Sequence, residues 1–247
     1  MRILLTNDDG IDSPGIRVLA KRMRELGEVV VSAPEGNRSA CAHSLTLDSP
    51  LRITEVQPGW YACDGTPADC VHLALNGFLR EDRPALVVSG INAGGNLGQD
   101  ITYSGTVMAA LEATLLGVPA FAVSVEARQD IDFSGAAEMA LRVAKRVLAD
   151  GLPKSMLLNL NVPHLPPDRI KGLKFTRQGR RLYGDEIHRR VDPRGREYYW
   201  IGGQDLGFEE IEGSDVVAVR QGYASLTPIS CDLTDFAMLE EMSKHLW

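Results

Sequence analysis

Short apolar runs alternate with helix-length segments through the first two-thirds of this chain, and most runs stop at a polar or glycine-rich cluster. Ile3-Leu4-Leu5, Val29-Val30-Val31, Ala85-Leu86-Val87-Val88-Ser89, Ala120-Phe121-Ala122-Val123 and Met156 to Val162 read as strands buried on both faces. Between them, Ser13-Pro14 opens a helix with Ile16, Leu19, Ala20, Met23 and Leu26 on one face and Gly27 as its stop. Thr66-Pro67-Ala68-Asp69 opens a second, with Val71, Ala74, Leu75 and Phe78 along one side. Two more are expected from about Ser104 to Leu116 and from Phe133 to Leu148. Leu45 to Val56 and Trp60 to Cys63 read as extended segments joined at Pro58-Gly59. Strands and helices in this alternation predict an α/β fold: a mostly parallel sheet covered on both faces.

The pattern changes after Pro163. Lys171 to Glu197 holds nine Lys/Arg and four Asp/Glu, whereas Asp205 to Asp215 holds five acids and no base. Lys174-Phe175-Thr176, Tyr198-Tyr199-Trp200 and Val216 to Val219 read as strand pieces, Tyr223 to Ile229 as a returning strand, and Asp235 to Leu246 as a last helix. The expected division is an α/β body over 1–170, a β-hairpin arm over 171–222, and a return strand with a C-terminal helix over 223–247. A lone ribbon has open edges and little core of its own. Burying Tyr198-Tyr199-Trp200 against another subunit would cover it, with the opposite charges fixing the register. A homodimer or homotetramer is therefore expected.

Composition narrows the function. The 247 residues carry 26 Lys+Arg against 33 Asp+Glu, a net charge of −7, which speaks against a nucleic-acid polymer as partner. The four cysteines, Cys41, Cys63, Cys70 and Cys231, show no C-x-x-C spacing, so a zinc knuckle or redox motif is not expected. Met1 to Leu5 reaches polar Asn7-Asp8-Asp9 at once, too soon for a signal peptide, and the apolar stretch Leu115 to Val125 is broken by Gly117 and Pro119. A cytoplasmic protein with free thiols and no membrane partner is the expectation.

Ligands of open α/β sheets bind beyond the carboxyl ends of the parallel strands, and three clusters fall there. Asn7-Asp8-Asp9-Gly10 follows the first strand. Adjacent carboxylates repel unless a cation or proton lies between them, and oxygen ligands suit Mg²⁺ or Mn²⁺. The same four residues would also make an ordinary Asx turn. Ser89-Gly90-Ile91-Asn92-Ala93-Gly94-Gly95-Asn96-Leu97-Gly98 matches neither G-x-G-x-x-G nor G-x-x-x-x-G-K-[ST]. Its Asn92 and Asn96 can offer carbonyl oxygen to a metal or amide hydrogen to a phosphate. Ser104-Gly105-Thr106 opens an apolar helix. It reads as a plain N-cap or, beside a carboxylate cluster, as a phosphate site. Asn37 to Ser44 follows the second strand. There Arg38 could meet an anion, and Cys41 and His43 read as structural.

These stretches, taken with Arg38-Ser39, Gly65-Thr66-Pro67-Ala68-Asp69-Cys70, Asn159-Leu160-Asn161-Val162-Pro163 and Thr176-Arg177-Gln178, occur in an order that resembles the SurE family from Met1 to at least Pro228. That resemblance implies a three-layer α/β/α Rossmann-like body with a C-terminal β arm used in oligomerisation. It implies a metal-dependent phosphomonoesterase acting on nucleoside 5′- and 3′-monophosphates, in some members also on short polyphosphate. It places one divalent ion per subunit, Mg²⁺ or Mn²⁺, on Asp8, Asp9, Ser39 and Asn92. Phosphate falls on Asn96, Ser104, Gly105 and Thr106. The catalytic role follows from the chemistry of Asp8 and Asp9: a carboxylate not fully used by metal can orient the water or protonate the leaving alcohol, and direct attack through an aspartyl-phosphate stays open. Gly95 stands where several members carry Pro, and Ala113-Thr114 replaces a common Gly-Arg.

A phospho-accepting signalling module would need an acceptor Asp and a Lys at later strand ends, where this chain has Ser89-Gly90-Ile91-Asn92 and Ser124-Val125-Glu126. A haloacid-dehalogenase-type phosphatase needs D-x-D, and Asn7 occupies its first position. A nucleotide-binding regulator without turnover stays open at this level.

Overall fold

The structure is a computed structural model that describes residues 1–184, 186–202 and 206–244. In chain order its elements are β1 (Arg2–Thr6), α1 (Pro14–Met23), β2 (Glu28–Pro34), β3 (Ile53–Gln57), β4 (Trp60–Cys63) and α2 (Pro67–Leu73). They continue as β5 (Leu86–Ala93), α3 (Gly105–Leu115), β6 (Ala120–Glu126), α4 (Ser134–Asp150), β7 (Met156–Pro163) and β8 (Leu173–Phe175). The last are β9 (Ile187–Val191), β10 (Glu197–Ile201), α5 (Asp215–Arg220), β11 (Ala224–Ser230) and α6 (Phe236–Met242).

Nine strands form one sheet in the order β3-β4-β2-β1-β5-β6-β7-β11-β8. β4, β2, β1, β5, β6 and β7 run parallel, whereas β3 and β11 are antiparallel to their neighbours β4 and β7. Strand residues alternate between two cores. Ile3, Leu5, Val31, Val88, Phe121 and Leu160 face α1 and α4, while Leu4, Val30, Val87, Ala122 and Leu157 face α2 and α3. This is the α/β architecture expected from the sequence, helices on both sides of a mostly parallel sheet.

Chain starts and stops follow local chemistry. Ser13 caps α1 with Pro14 behind it. Thr66 and Asp69 form a reciprocal capping box on α2. Asp69 also accepts from the Thr46 amide at 2.9 Å and its hydroxyl at 2.7 Å. That carboxylate pins the 44–46 stretch to the helix start. The long extended segment expected from Leu45 becomes a strand only at Ile53, because its first half is held by side chains rather than by a neighbouring strand.

The C-terminal third departs from expectation at one point. Val216 to Val219 is the middle of helix α5, not a strand. Ser214 accepts from the Val217 amide as N-cap, and Val216 and Val219 pack on Leu97. Within 171–222, β8 pairs with β11 in the main sheet and α5 packs beside β7 and β11. Among the described residues β9 and β10 pair only with each other. Their Ile187, Val191, Tyr198, Tyr199, Trp200 and Ile201 are exposed. Asp205 and Leu246, which bounded two of the expected segments, lie outside the described residues.

Asp69→Ala strips the acceptor from the Thr46 amide and hydroxyl and from the Thr66 amide. It should cost about 2–4 kcal/mol, read as a lower urea midpoint at unchanged slope.

Candidate active site

Asp8 sits at the end of β1 with 4% of its surface exposed. The first turn of α3 lies directly over it: a Cβ on Gly105 would stand 2.9 Å from Asp8 Cβ and 3.0 Å from both Asp8 Oδ2 and Cys41 Sγ. Only glycine allows so close an approach. Thr106 donates its hydroxyl to Asp8 Oδ1 in a short hydrogen bond. Burial pushes the Asp8 carboxyl up to about 6; the Thr106 hydrogen bond works against this, while the charge of Asp9 adds to it. Asp9 is half-buried, and burial raises its pKa as well, opposed by the Ala93 amide, which donates to Oδ2 at 3.3 Å. No cationic side chain pairs with either carboxylate among the described residues.

The other expected site residues surround this pair unequally. Asn92 ends β5 just beyond a slip in pairing with β6, and donates to the Gly94 carbonyl at 2.7 Å. That bond uses the side-chain nitrogen, and the carbonyl oxygen Oδ1 takes no part in it. Ser39 is exposed on the loop after β2, its amide held by Asn37 Oδ1 at 2.8 Å. That loop is tied down by the Arg38 amide, which donates to the Asp8 carbonyl at 2.7 Å. Ser104 caps α3, its hydroxyl oxygen accepting from the Val107 amide at 3.1 Å, which leaves the hydroxyl hydrogen available. Thr106, by contrast, spends its hydroxyl hydrogen on Asp8. Asn96 is buried and donates to Ser124 Oγ at 2.7 Å, so that amide group is engaged inside the fold.

Cys41 is half-buried beside Asp8, and burial followed by the Asp8 charge raises its thiol pKa, the reverse of what a nucleophile needs. Arg38 gives its guanidinium to the Asp64 carbonyl at 2.8 Å.

Three arrangements went unassigned in the sequence. Asn159 and Asn161 of β7 both donate to the Asn96 carbonyl, at 2.8 and 3.0 Å, and Asn161 Oδ1 accepts the Asn96 amide at 2.8 Å. The signal was there: two Asn at alternate positions of an otherwise apolar parallel strand must have buried partners. Glu112 of α3, buried, accepts from His43 at 2.8 Å and His72 at 2.7 Å. Burial works to raise its pKa, but the two histidines outweigh that and the net shift is downward. Asp215 is the third arrangement, treated below.

A recess of about 470 Å³ adjoins Asp9 and is lined by Gly10, Ser13, Glu35, Gly36, Ala93 and Phe133, among others. A larger groove of about 580 Å³ along α4 and β7 shares no residue with the carboxylate cluster.

The family description "Survival protein SurE" matches residues 3–185. The chain belongs to the SurE family. It is 51% identical over 246 residues to a protein of Syntrophotalea carbinolica named 5′-nucleotidase SurE, covering 99% of this chain and 97% of that one. A Geobacter sulfurreducens protein of the same name is 53% identical over 240 residues, covering 97% and 91%. The crystal structure of the SurE protein from Aquifex aeolicus superposes with a TM-score of 0.89 at 44% identity over 99% of both chains.

The donor set fits a hard divalent cation. Two adjacent carboxylates, Asp8 buried and Asp9 half-buried, have no cationic partner among the described residues and lie beside an Asn and a Ser loop. Among the described residues no group of three or more His, Cys, Asp or Glu is arranged to hold a metal ion.

The raised Asp8 pKa has a testable sign. Between pH 4 and 6 the metal-free native state holds a proton that the unfolded chain has lost, so stability falls as pH rises through that window. Asp8→Asn should therefore stabilise chelator-treated protein at pH 7 by on the order of 2–3 kcal/mol. The advantage should vanish near pH 4. Adding Mn²⁺ should stabilise the parent protein and not the variant.

Proposed function

We propose that this chain is a 5′-nucleotidase, hydrolysing nucleoside monophosphates to nucleoside and phosphate with the help of one Mg²⁺ or Mn²⁺ per subunit. The observation that carries the reading is the buried Asp8 carboxylate, beside Asp9 and facing the N-terminus of α3. Relatives about half identical over nearly the whole chain bear the name 5′-nucleotidase.

Asp8, Asp9 and Asn92 hold the ion, with Ser39 bordering it. When bound, it supplies Lewis-acid polarisation of a phosphoryl oxygen. The chain's own groups do the rest. The free hydroxyl hydrogen of Ser104 and the first amides of α3 hold phosphoryl oxygens as charge develops. Thr106 fixes the Asp8 carboxylate, so the carboxylate enters the reaction in one orientation. The oxygen of Asp8 or Asp9 not engaged in binding orients the attacking water or gives a proton to the leaving alcohol. The recess beside Asp9 has the volume for a nucleoside. Nucleoside 3′-monophosphates and short polyphosphate extend the same chemistry, since both present a terminal phosphoryl group. Four free thiols suit a reducing compartment such as the cytoplasm, and no described helix is long and apolar enough to cross a membrane.

The assembly reading rests on uncovered apolar surface. The β9–β10 ribbon exposes its rings, and α6 buries none of its residues, leaving Phe236, Met238, Leu239 and Met242 in the open. A second copy, in a homodimer or homotetramer, covers both.

Two experiments follow. Chelation should abolish phosphate release from 5′-mononucleotides and Mn²⁺ or Mg²⁺ should restore it, while Asp9→Asn should lower kcat/KM by roughly a hundredfold or more at saturating metal. Full turnover without metal would remove the proposal. Deleting 184–205 and joining the ends by a short turn leaves the Leu182 amide on the Gly207 carbonyl at 2.9 Å. That variant should sediment as a smaller particle with its α/β body folded; a parent protein already monomeric at micromolar concentration would refute the arm's role.

A further inference from the structure

Asp215 is wholly buried, at 0% exposure, and no cationic side chain pairs with it among the described residues. Burying a carboxylate alone is expensive. It is stabilised here by three backbone amides. Gly98 donates to Oδ2 at 2.9 Å; Gly179 and Val216 each donate to Oδ1 at 2.8 Å. The donors belong to three separate segments: the loop that leads from Asn96 to Ser104, the chain at the root of the β9–β10 ribbon, and the start of α5. A Cβ on Gly179 would stand 2.6 Å from Oδ1, so the ribbon root can reach the carboxylate only as glycine.

The first two of these segments are joined by three further contacts. Gln178 Nε2 donates to the Gly98 carbonyl at 2.8 Å, so Gly98 is gripped at both its amide and its carbonyl. Gln99 Oε1 accepts the Arg181 amide at 2.6 Å, and the Arg181 guanidinium meets Asp100 at 2.6 Å. Asn96, two residues before Gly98, is already fixed to β7 through Asn159 and Asn161. Filling the same space with an apolar side chain would leave the Gly98 and Gly179 amides unpaired inside the protein. The carboxylate's particular effect is to hold these two amides at fixed separation.

We propose that Asp215 is a positioning residue for the phosphate-binding segment, setting Ser104 by locking Gly98 to the root of the arm. This rests on the phosphate site proposed above. It makes phosphate affinity depend on the arm root, although no arm residue need touch the substrate. The metal ligands lie on β1, β5 and the loop after β2, outside this lock, so metal affinity should be independent of it.

The test is Asp215→Asn, which keeps the shape but turns an amide NH₂ toward one of the backbone donors. Expected are increases of roughly tenfold in the orthophosphate inhibition constant and in KM for a 5′-mononucleotide, the loss of about one hydrogen bond to a charged group. The Mn²⁺ concentration for half-maximal activity should stay at the parent value. Gln178→Ala, which loosens the same loop from the exposed side, should shift both constants in the same direction by less. A folded Asp215→Asn with the parent inhibition constant overturns the proposal. So does a variant that loses phosphate and Mn²⁺ affinity in equal measure, since that is general loosening of the fold. Should Asp215→Asn fail to fold, Gln178→Ala decides in the same way, a raised inhibition constant supporting the lock and an unchanged one overturning it. If the parent protein hydrolyses no mononucleotide, the phosphatase reading fails by itself. Amide hydrogen exchange over 96–104 then decides the lock, faster exchange in the variants supporting it and unchanged exchange overturning it.

Discussion

Asp8 keeps a carboxylate where almost no water reaches it, next to a second carboxylate, and the surrounding structure can be understood as the set of contacts that make this tolerable. β1 is central and carries Asp8 out at its C-terminal end. The first turn of α3 comes down onto it at a distance that only Gly105 permits, bringing the Thr106 hydroxyl to Oδ1. The Arg38 amide takes the Asp8 backbone carbonyl and so draws the Ser39 loop across the same edge. What these contacts leave uncompensated is the repulsion between Asp8 and Asp9. A bound cation would relieve it, and under the proposed function the same charge would stand opposite the oxygens of a phosphate monoester.

Around that centre the loops are held by side chains inserted from the neighbouring strands and helices. Asn159 and Asn161 hold Asn96, Asp215 and Gln178 hold Gly98, and Glu112 with His43 and His72 holds the far end of the Ser39 loop to α3 and α2. Asn96, Asn161, Glu112 and Asp215 are buried polar groups with hydrogen-bond partners, which favours one loop geometry over many. Catalysis by positioned groups tolerates little displacement, and under the proposed function these residues would matter to the chemistry without touching it.

The sheet and its covering helices were legible because the periods differ so plainly: Val29-Val30-Val31 has no polar face to offer, and Ile16, Leu19, Ala20 and Met23 have one. The Asp8-Asp9 pair stood out because it follows a buried strand at once, and the structure keeps both carboxylates together beyond the end of β1. The contacts between segments were less so. Val216 to Val219 is apolar and β-branched over too short a stretch for period to decide, and the Ser214 cap that makes it helical was the overlooked signal. Thr106 was expected on phosphate through its hydroxyl, but which acceptor it meets depends on how closely α3 approaches β1, which no local pattern encodes. Asn159, Asn161 and Asp215 stood in the sequence as polar residues among apolar ones, and apart from the adjacent Val216 amide their partners lie 36 to 117 positions away.

The central claim, that Asp8, Asp9 and Asn92 hold a divalent ion at the end of β1, is tested most directly by anomalous diffraction from crystals soaked in Mn²⁺. The account predicts one manganese peak per subunit in contact with carboxylate oxygens of both Asp8 and Asp9 and with Asn92. A peak elsewhere on the surface, or no ordered manganese at millimolar concentration, would contradict it.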